Sequence, residues 1–568
     1  MATTEQPGYR ALVDMGSNGI RFSISDLSPP TARILPTVFQ DRVGISLYDA
    51  QYGSGSKAPI PESTISEVVS SLRHFKTTCD DFGVADNNVR VLATEATREA
   101  INSVDFRQRI KSSTGWEVEM LSKEDEGRVG AMGIASSFSS VKGLVMDLGG
   151  GSTQLTWMVA ENGQVQTASR GAVSLPYGAA AMTRRLDEAS SAKHSKKEIA
   201  ALKDEMRTRL RDAYQSLDVP YALRHEAENH GGFTLYLSGG GFRGWGYLLM
   251  SQHHIDPYPI PIINGFQVER SEFLKTVQVQ ALAEDDDVDV FRVSSRRASQ
   301  VPAVAFLITV LAEVLPEIKE VRFCQGGVRE GALYTSLPAE VRAQPPLKTA
   351  TLTSAPRSAP GLARVLQDAI PPSSTVSAIS KEYTPDLLDA FVNLVYVHYS
   401  LPKESRAAAA LRCTTTGLLA GVHGVSHHDR AILSLLLCER WGGEASLSRT
   451  DTPFFSRLQA IVGHEAAWWA RYLGRVAAIL ADTYPAGYIP NADLDGSQPP
   501  RIAFSAAWRH DLGKKARDMG VELTVHVPNS NESLKKSVER VEKVGKKKNW
   551  VGEPAWGLRV EANLQVGR

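Results

Sequence analysis

GLVMDLGGGSTQLTWMV, residues 143–159, decides how this chain is read. An apolar run leads to Asp147, a turn of three glycines with Ser152 and Thr153 follows, and a second apolar run leads away. That is a strand, a glycine-rich turn and a return strand. The same pattern stands near the start as ALVDMGSNGIRFSISDL, residues 11–27. Setting Asp14 on Asp147 also sets Gly16 on Gly149, so one hairpin occurs twice. Successive backbone N–H groups in such a turn form an anion-binding concavity, and glycine lets a phosphate come close. Two copies could clamp one phosphate chain from both sides through Gly16, Ser17 and Asn18 and through Gly149, Gly150, Gly151, Ser152 and Thr153. The carboxylates of Asp14 and Asp147 could then hold Mg²⁺, directly or through water.

Two further glycine clusters lie outward from these. FTLYLSGGGFRG (233–244) presents Gly239, Gly240 and Gly241, and VRFCQGGVREGALY (321–334) presents Gly326 and Gly327. Helical stretches fall between: Glu62–Phe82 has Ile65, Val68, Val69, Leu72 and Phe75 at helical spacing, and Lys196–Leu217 is a charged, largely solvated helix. Two hairpin-bearing halves predict a duplicated α/β fold with a cleft between the halves. The expected organisation is one half over 9–140, a second over 141–337, a Pro/Ser/Thr/Ala-rich linker over 338–360, and a mainly helical region over 361–568 with a small α+β end. In that last region Thr384 is the expected cap of a helix reaching Tyr399. Asp429 is the expected cap of one ending at Trp441, and LKKSVERVEKVGKKKNW is a basic surface helix or tail with a solvated face.

The motifs D-x-G-S-N-x-x-R, D-x-G-G-G-S-T and S-G-G-G together resemble the exopolyphosphatase and guanosine pentaphosphate phosphohydrolase family. ATEATREAIN (93–102), SKEDEGRVGAMGI (122–134), DPYPIPIINGF (256–266), RRASQVPAVAFLI (296–308) and GGVREG (326–331) follow in the family's order. The resemblance covers about residues 9–337. It implies the actin-like ATPase (ribonuclease H-like) two-domain fold, with ATP, polyphosphate or a guanosine polyphosphate between the halves and Mg²⁺ as cofactor. The helical C-terminal region is similar to that of a fungal branch of the family that carries retrograde signals from mitochondria to nucleus. That likeness implies a regulatory protein partner for the C-terminal domain.

The resemblance also implies roles. Glu126 stands where the family and the related apyrases place a catalytic carboxylate, able to take a proton from an attacking water. Arg98 matches an arginine that grips phosphate, and Arg21 on the first return strand is assigned the same role. Gln154 is a departure, because the hydrolytic members carry Glu there. An amide cannot act as a base, but it can orient a water because it both donates and accepts. Gly19 replaces a second family serine. The literal G-x-G-x-x-G at 239–244 is not read as a dinucleotide fingerprint, since no acidic-ended second strand follows at the required distance. HGVSHHDRAILSLLLCERWGGE (423–444) resembles a remnant of the metal-dependent HD phosphohydrolase domain, without the further ligands a metal site requires.

The composition narrows the field. Lys plus Arg and Asp plus Glu number 63 each over 568 residues, which gives no electrostatic basis for nucleic-acid binding. Four scattered cysteines form no C-x-x-C pair, so a reducing compartment is expected, and no signal-like N-terminal segment is seen. The most apolar stretch, from Val301, meets Glu313 and reads as a buried helix rather than a membrane span. The expectation is a cytoplasmic, phosphoanhydride-binding signalling regulator; the alternative is an active Mg²⁺-dependent exopolyphosphatase or nucleoside polyphosphate phosphohydrolase.

Overall fold

In the computed structural model, which describes residues 8–53, 56–283, 290–372, 379–494 and 498–567, the first hairpin is β1 (Tyr9–Gly16) and β2 (Gly19–Asp26). Ala11, Val13 and Met15 face one core together with Ile65, Val68, Leu72 and Phe75. Leu12, on the alternate face, joins a second core with Leu92, Ile134, Val145 and Met158. The period-2 geometry of a strand therefore buries β1 on both sides, which is why its sequence is apolar without interruption. The helix Glu62–Phe82 supplies Ile65, Val68, Leu72, Phe75 and Cys79 to the first core and stops at Gly83, whose φ of 72° is left-handed. Cutting a side chain such as Leu72 back to alanine in this core would cost about 2–5 kcal/mol.

β3 (Thr37–Val43), β4 (Val89–Ala93) and β5 (Val118–Met120) complete a sheet of order β3-β2-β1-β4-β5. β1 runs antiparallel to β2 but parallel to β4. The second sheet contains β6 (Val141–Leu148), β7 (Thr153–Glu161), β8 (Gln164–Thr167), β9 (Val173–Leu175), β10 (Phe233–Ser238), β11 (Gln267–Glu269) and β12 (Ile318–Phe323). Its order β8-β7-β6-β10-β12 repeats the first sheet: three antiparallel strands, then two parallel ones, with β11 added at the edge. The duplication expected from two hairpins thus extends to both sheets. The helix Val301–Val314 is buried along Val304, Leu307, Ile308 and Leu311, as its apolar sequence requires.

Two compact units account for the chain. One comprises residues 1–253, 262–346 and 421–425, and contains both sheets just described. The other comprises 254–261, 347–420 and 426–568. The second unit is helical, with Pro385–Leu394, His427–Arg440 and Thr452–Thr483, the last broken at Gly463. It ends in β13 (Ala503–Leu512), β14 (Asp518–Val527) and β15 (Arg559–Val566), with the helix Glu532–Val544 before β15. Among the described residues no helix is long and apolar enough to cross a membrane.

Several expectations need correction. Residues 338–360 are not an open linker: Ala339–Arg342 and Pro346–Thr351 are helical, and Ala359 begins another helix. Pro346 and Pro360 sit in first turns, where proline is tolerated, and Leu347, Ala350 and Leu362 are buried. The helix after Thr384 ends at Leu394, short of Tyr399, although Thr384 does accept from Leu387 N. The helix carrying Asp429 is capped by Ser426, whose side chain accepts from Asp429 N. The basic segment is a helix, not a tail, over Glu532–Val544, and Val538, Val541 and Val544 are buried. Leu202, Met206, Leu210 and Ala213 likewise bury one face of the charged helix Ser195–Ser216.

Candidate functional site

The β1–β2 register pairs Asp14 with Arg21, and the β6–β7 register pairs Asp147 with Gln154. Both aspartates, at the ends of matching strands, open onto one cavity of about 150 Å³. Three glycine loops share its wall: Gly16 with Ser17, Asn18 and Gly19; Gly149 to Ser152; and Gly239 to Gly241. Gly327, at the fourth cluster, joins them.

Steric and hydrogen-bond constraints fix these loops. A Cβ on Gly150 would collide with the Asn18 amide, and one on Gly151 with the Glu95 carboxylate, so glycine lets those side chains come close. The carbonyls of Gly149, Gly150 and Gly151 accept from Ala179 N (2.9 Å), Ala180 N (3.0 Å) and Gly178 N (3.1 Å). In a planar trans peptide the carbonyl and the next N–H point in opposite directions. The amides of Gly150, Gly151 and Ser152 are therefore turned away from those donors, in the manner of an anion nest. Gly239 has φ 91°, and a Cβ there would meet the Leu148 backbone, so glycine is required twice over. It opens the helix Gly240–Ser251, whose first N–H groups have no partner within the helix.

The charges are unevenly arranged. Burial raises the carboxyls of both Asp14 and Asp147 above the usual range. Arg21, 3.7 Å from Asp14, opposes the rise there, while at Asp147 the Ser238 hydroxyl and then Arg243 oppose it. Glu126 also lines the cavity and is pushed up to about 7, by burial first and then, against the pull of Arg98, by Glu95 and Asp147. Arg42, Arg243 and Arg297 join Arg21 on the wall. Burial and neighbouring arginines lower Arg243 to about 10, and burial with Arg42 and Arg21 also lowers Arg297. Glu330 is held down at about 2; against burial, the Arg329 charge, then His423 and backbone donors that include Gly327 N (3.0 Å) keep it ionised.

Of the residues the sequence singled out, Asp14, Gly16, Ser17, Asn18, Arg21, Glu126, Asp147, Gly149, Gly150, Gly151, Ser152, Gly239, Gly240 and Gly241 come together here. Three do not line the cavity. Arg98 stands 3.4 Å from the Glu126 carboxylate and also donates to Leu121 O, so in this structure it holds Glu126. Gln154 is 8 % exposed and donates its amide N–H to Ser152 Oγ at 2.9 Å, so it orients that serine. The Thr153 hydroxyl is fully buried and donates to Asp147 O at 2.8 Å. Arg42, Ser238, Arg243 and Arg297 were missed. Arg243 and Arg297 stood inside motifs quoted for their glycines or apolar residues, where an arginine reads as a surface charge.

Among the described residues no group of three or more His, Cys, Asp or Glu side chains could hold a metal alone. Two aspartates on one cavity nevertheless suit Mg²⁺, which binds through one or two carboxylates and takes its other oxygens from water and phosphate. Desolvation makes each carboxylate costly to ionise alone, so a cation beside them would be strongly favoured.

Comparison with known proteins places the chain among relatives. Residues 27–340 match the model of the Ppx/GppA phosphatase family, and residues 345–567 match the RTG2 C-terminal domain. Retrograde regulation protein 2 of Saccharomyces cerevisiae is 41 % identical over 500 residues, 85 % of this chain and 82 % of that protein. Exopolyphosphatase 1 of Mycobacterium tuberculosis is 28 % identical over 178 residues, 30 % of this chain and 47 % of its own length. A solved Aquifex aeolicus PPX-GPPA enzyme aligns with 58 % of this chain and 99 % of its own at 22 % identity, with a TM-score of 0.45. With its two repeated sheets and the family model spanning more than half its length, the chain belongs to the Ppx/GppA phosphatase family.

Proposed function

We propose that the chain binds a phosphoanhydride ligand, ATP, polyphosphate or a guanosine polyphosphate, in this cavity with Mg²⁺, and acts as a cytoplasmic signalling regulator. The observation that carries the reading is the convergence of three glycine loops, two aspartates and four arginines, from separate parts of the chain, on one cavity. Backbone donors and guanidinium groups answer the anionic oxygens, and Asp14 with Asp147 answers the metal. Mg²⁺ would supply charge neutralisation across adjacent phosphates. The regulatory half of the reading comes from the Saccharomyces relative, a regulator by its name, and from the C-terminal domain it shares with this chain. A protein partner reading the ligand-bound form through that domain would turn occupancy into signal.

A specific observation keeps hydrolysis as a second reading. Glu126 lines the same cavity with its carboxyl pushed up to about 7, the range in which a general base works at neutral pH. The separating experiment is phosphate release with Mg²⁺ from polyphosphate, ATP and guanosine pentaphosphate, beside Glu126→Ala. Turnover that vanishes in the variant while affinity is kept makes the chain an enzyme. No turnover, with these ligands still raising the melting temperature, leaves a regulator. No thermal shift with any of them sinks the binding reading.

A further inference from the structure

Arg243 is held as a buried cation between opposing neighbours, with Asp147 and Glu330 attracting it. It lies in the first turn of the helix Gly240–Ser251, at the positive end of the helix dipole. Arg21 and Arg297 add repulsion, and burial adds a desolvation cost. A guanidinium does not escape by losing its proton, so the cost is carried as charge. The side chain is nonetheless held firmly: Nε donates to Gly239 O at 3.2 Å, and one terminal nitrogen donates to Gln325 O at 3.0 Å. Those two carbonyls belong to the third and fourth glycine-cluster segments, and Gly239 itself lines the cavity together with Arg243. A guanidinium held at Nε and at one terminal nitrogen, and fronting a cavity of anion-binding loops, is pre-organised for phosphoryl oxygens.

We propose that Arg243 is a direct phosphoryl-binding residue of this site, the fork that holds a ligand phosphate on the Asp147 side of the cavity. The inference rests on the phosphoanhydride-binding reading above and adds to it a residue and a geometry. Hairpin two has neutral Gln154 where hairpin one has Arg21, so the cation on its side must come from elsewhere. Arg243 is that cation, and its charge is felt at both Asp147 and Asp14. A role confined to balancing the two aspartates would need only a positive charge; bidentate binding of phosphoryl oxygens needs the fork, which the point charge of a lysine lacks.

The test is calorimetric titration of the full chain with Mg²⁺ and tripolyphosphate, comparing wild type, Arg243→Lys and Arg243→Gln. Loss of a charge-assisted hydrogen bond predicts affinity weakened by about tenfold or more in both variants. Arg243→Lys within about twofold of wild type would overturn the inference, because charge alone would then suffice. A wild type that does not bind tripolyphosphate, ATP or guanosine pentaphosphate fails at the earlier reading, and the inference falls with it. Should the variants not fold, arginine-selective modification of the wild-type protein with phenylglyoxal, mapped by mass spectrometry, decides. Protection of Arg243 by Mg²⁺–tripolyphosphate supports direct contact, and modification at an unchanged rate with ligand saturating overturns it.

Discussion

The two hairpins are one motif used twice, and their differences say more than their likeness. In each, an aspartate near the end of the first strand faces, seven residues on, a partner on the return strand: Arg21 for Asp14, Gln154 for Asp147. Hairpin one turns on two residues, Ser17 and Asn18, and keeps its counter-charge at 3.7 Å in the same sheet. Hairpin two keeps that spacing, with Gly149 N donating to Ser152 O at 3.0 Å across Gly150 and Gly151, but it gives up the cation and takes Ser238 and Arg243 from a parallel strand and the helix after it. One half is self-contained; the other is completed by distant chain. Duplication therefore supplied the carboxylates, and divergence assigned the second half to the glycine-rich phosphate loop and to the carboxylate Glu126, which feels Asp147.

The largest effect expected is at the aspartates. Asp147→Asn and Asp14→Asn should each weaken Mg²⁺-dependent tripolyphosphate binding by roughly 100-fold, the upper end of what losing even an outer-shell partner of a metal costs. Because burial raises both carboxyls, the amides should at the same time raise the melting temperature of the ligand-free protein at neutral pH. The comparison breaks if only one of the two matters for binding. It sharpens if Asp147→Asn alone also lowers the Glu126 pKa, since Asp147 and not Asp14 is among the charges raising it.

Glu126 gives the next effect, read as pH dependence. Its folded pKa of about 7 stands above the ordinary 4.5, so the folded state holds a proton that the unfolded chain has released. Its contribution to stability is full below about pH 4.5 and is lost as pH rises to about 7. Glu126→Gln removes that titration. Its gain over wild type should be near zero at pH 4.5 and level off above pH 7 at roughly 3 kcal/mol as an upper bound. Melting temperatures across that range check the claim; a gain independent of pH would mean that Glu126 is ionised throughout. Gly150→Ala should cost less, about tenfold in affinity, by driving the Asn18 amide out of its place between the hairpins. Ser17→Ala should cost little, because a side chain already stands at that position.

The sequence showed the hairpins because period-2 apolar runs, an aspartate and glycines at fixed spacing survive in one dimension. It showed neither the guanidinium wall nor the fate of Arg98. A phosphate-binding arginine and one that pins a carboxylate look alike until the fold decides which lies nearer the cavity; Arg98 went to Glu126, and Arg243 went to the wall. The segment 338–360 misled through composition: its prolines open short helices, and Leu347 and Ala350 are buried, as is Leu362 just beyond it.

The smallest effect tests the part of the comparison that rests on a single side chain. If Gln154 were the catalytic amide of hairpin two, removing it would abolish any turnover while hardly touching stability. The geometry gives it a different contact: its amide nitrogen donates to Ser152 Oγ, and Ser152 is the residue on the cavity wall. Gln154→Ala should then cost about 0.5–1.5 kcal/mol of stability, the worth of one buried hydrogen bond. Affinity for Mg²⁺–tripolyphosphate should fall by less than about threefold, because the loop carbonyls stay bonded to residues 178–180. Thermal melts and calorimetry on the same sample measure both. A stability unchanged beside a lost activity would return Gln154 to the chemistry; the opposite pattern makes it the prop beneath Ser152, doing for one hydroxyl what Arg21 does for a carboxylate.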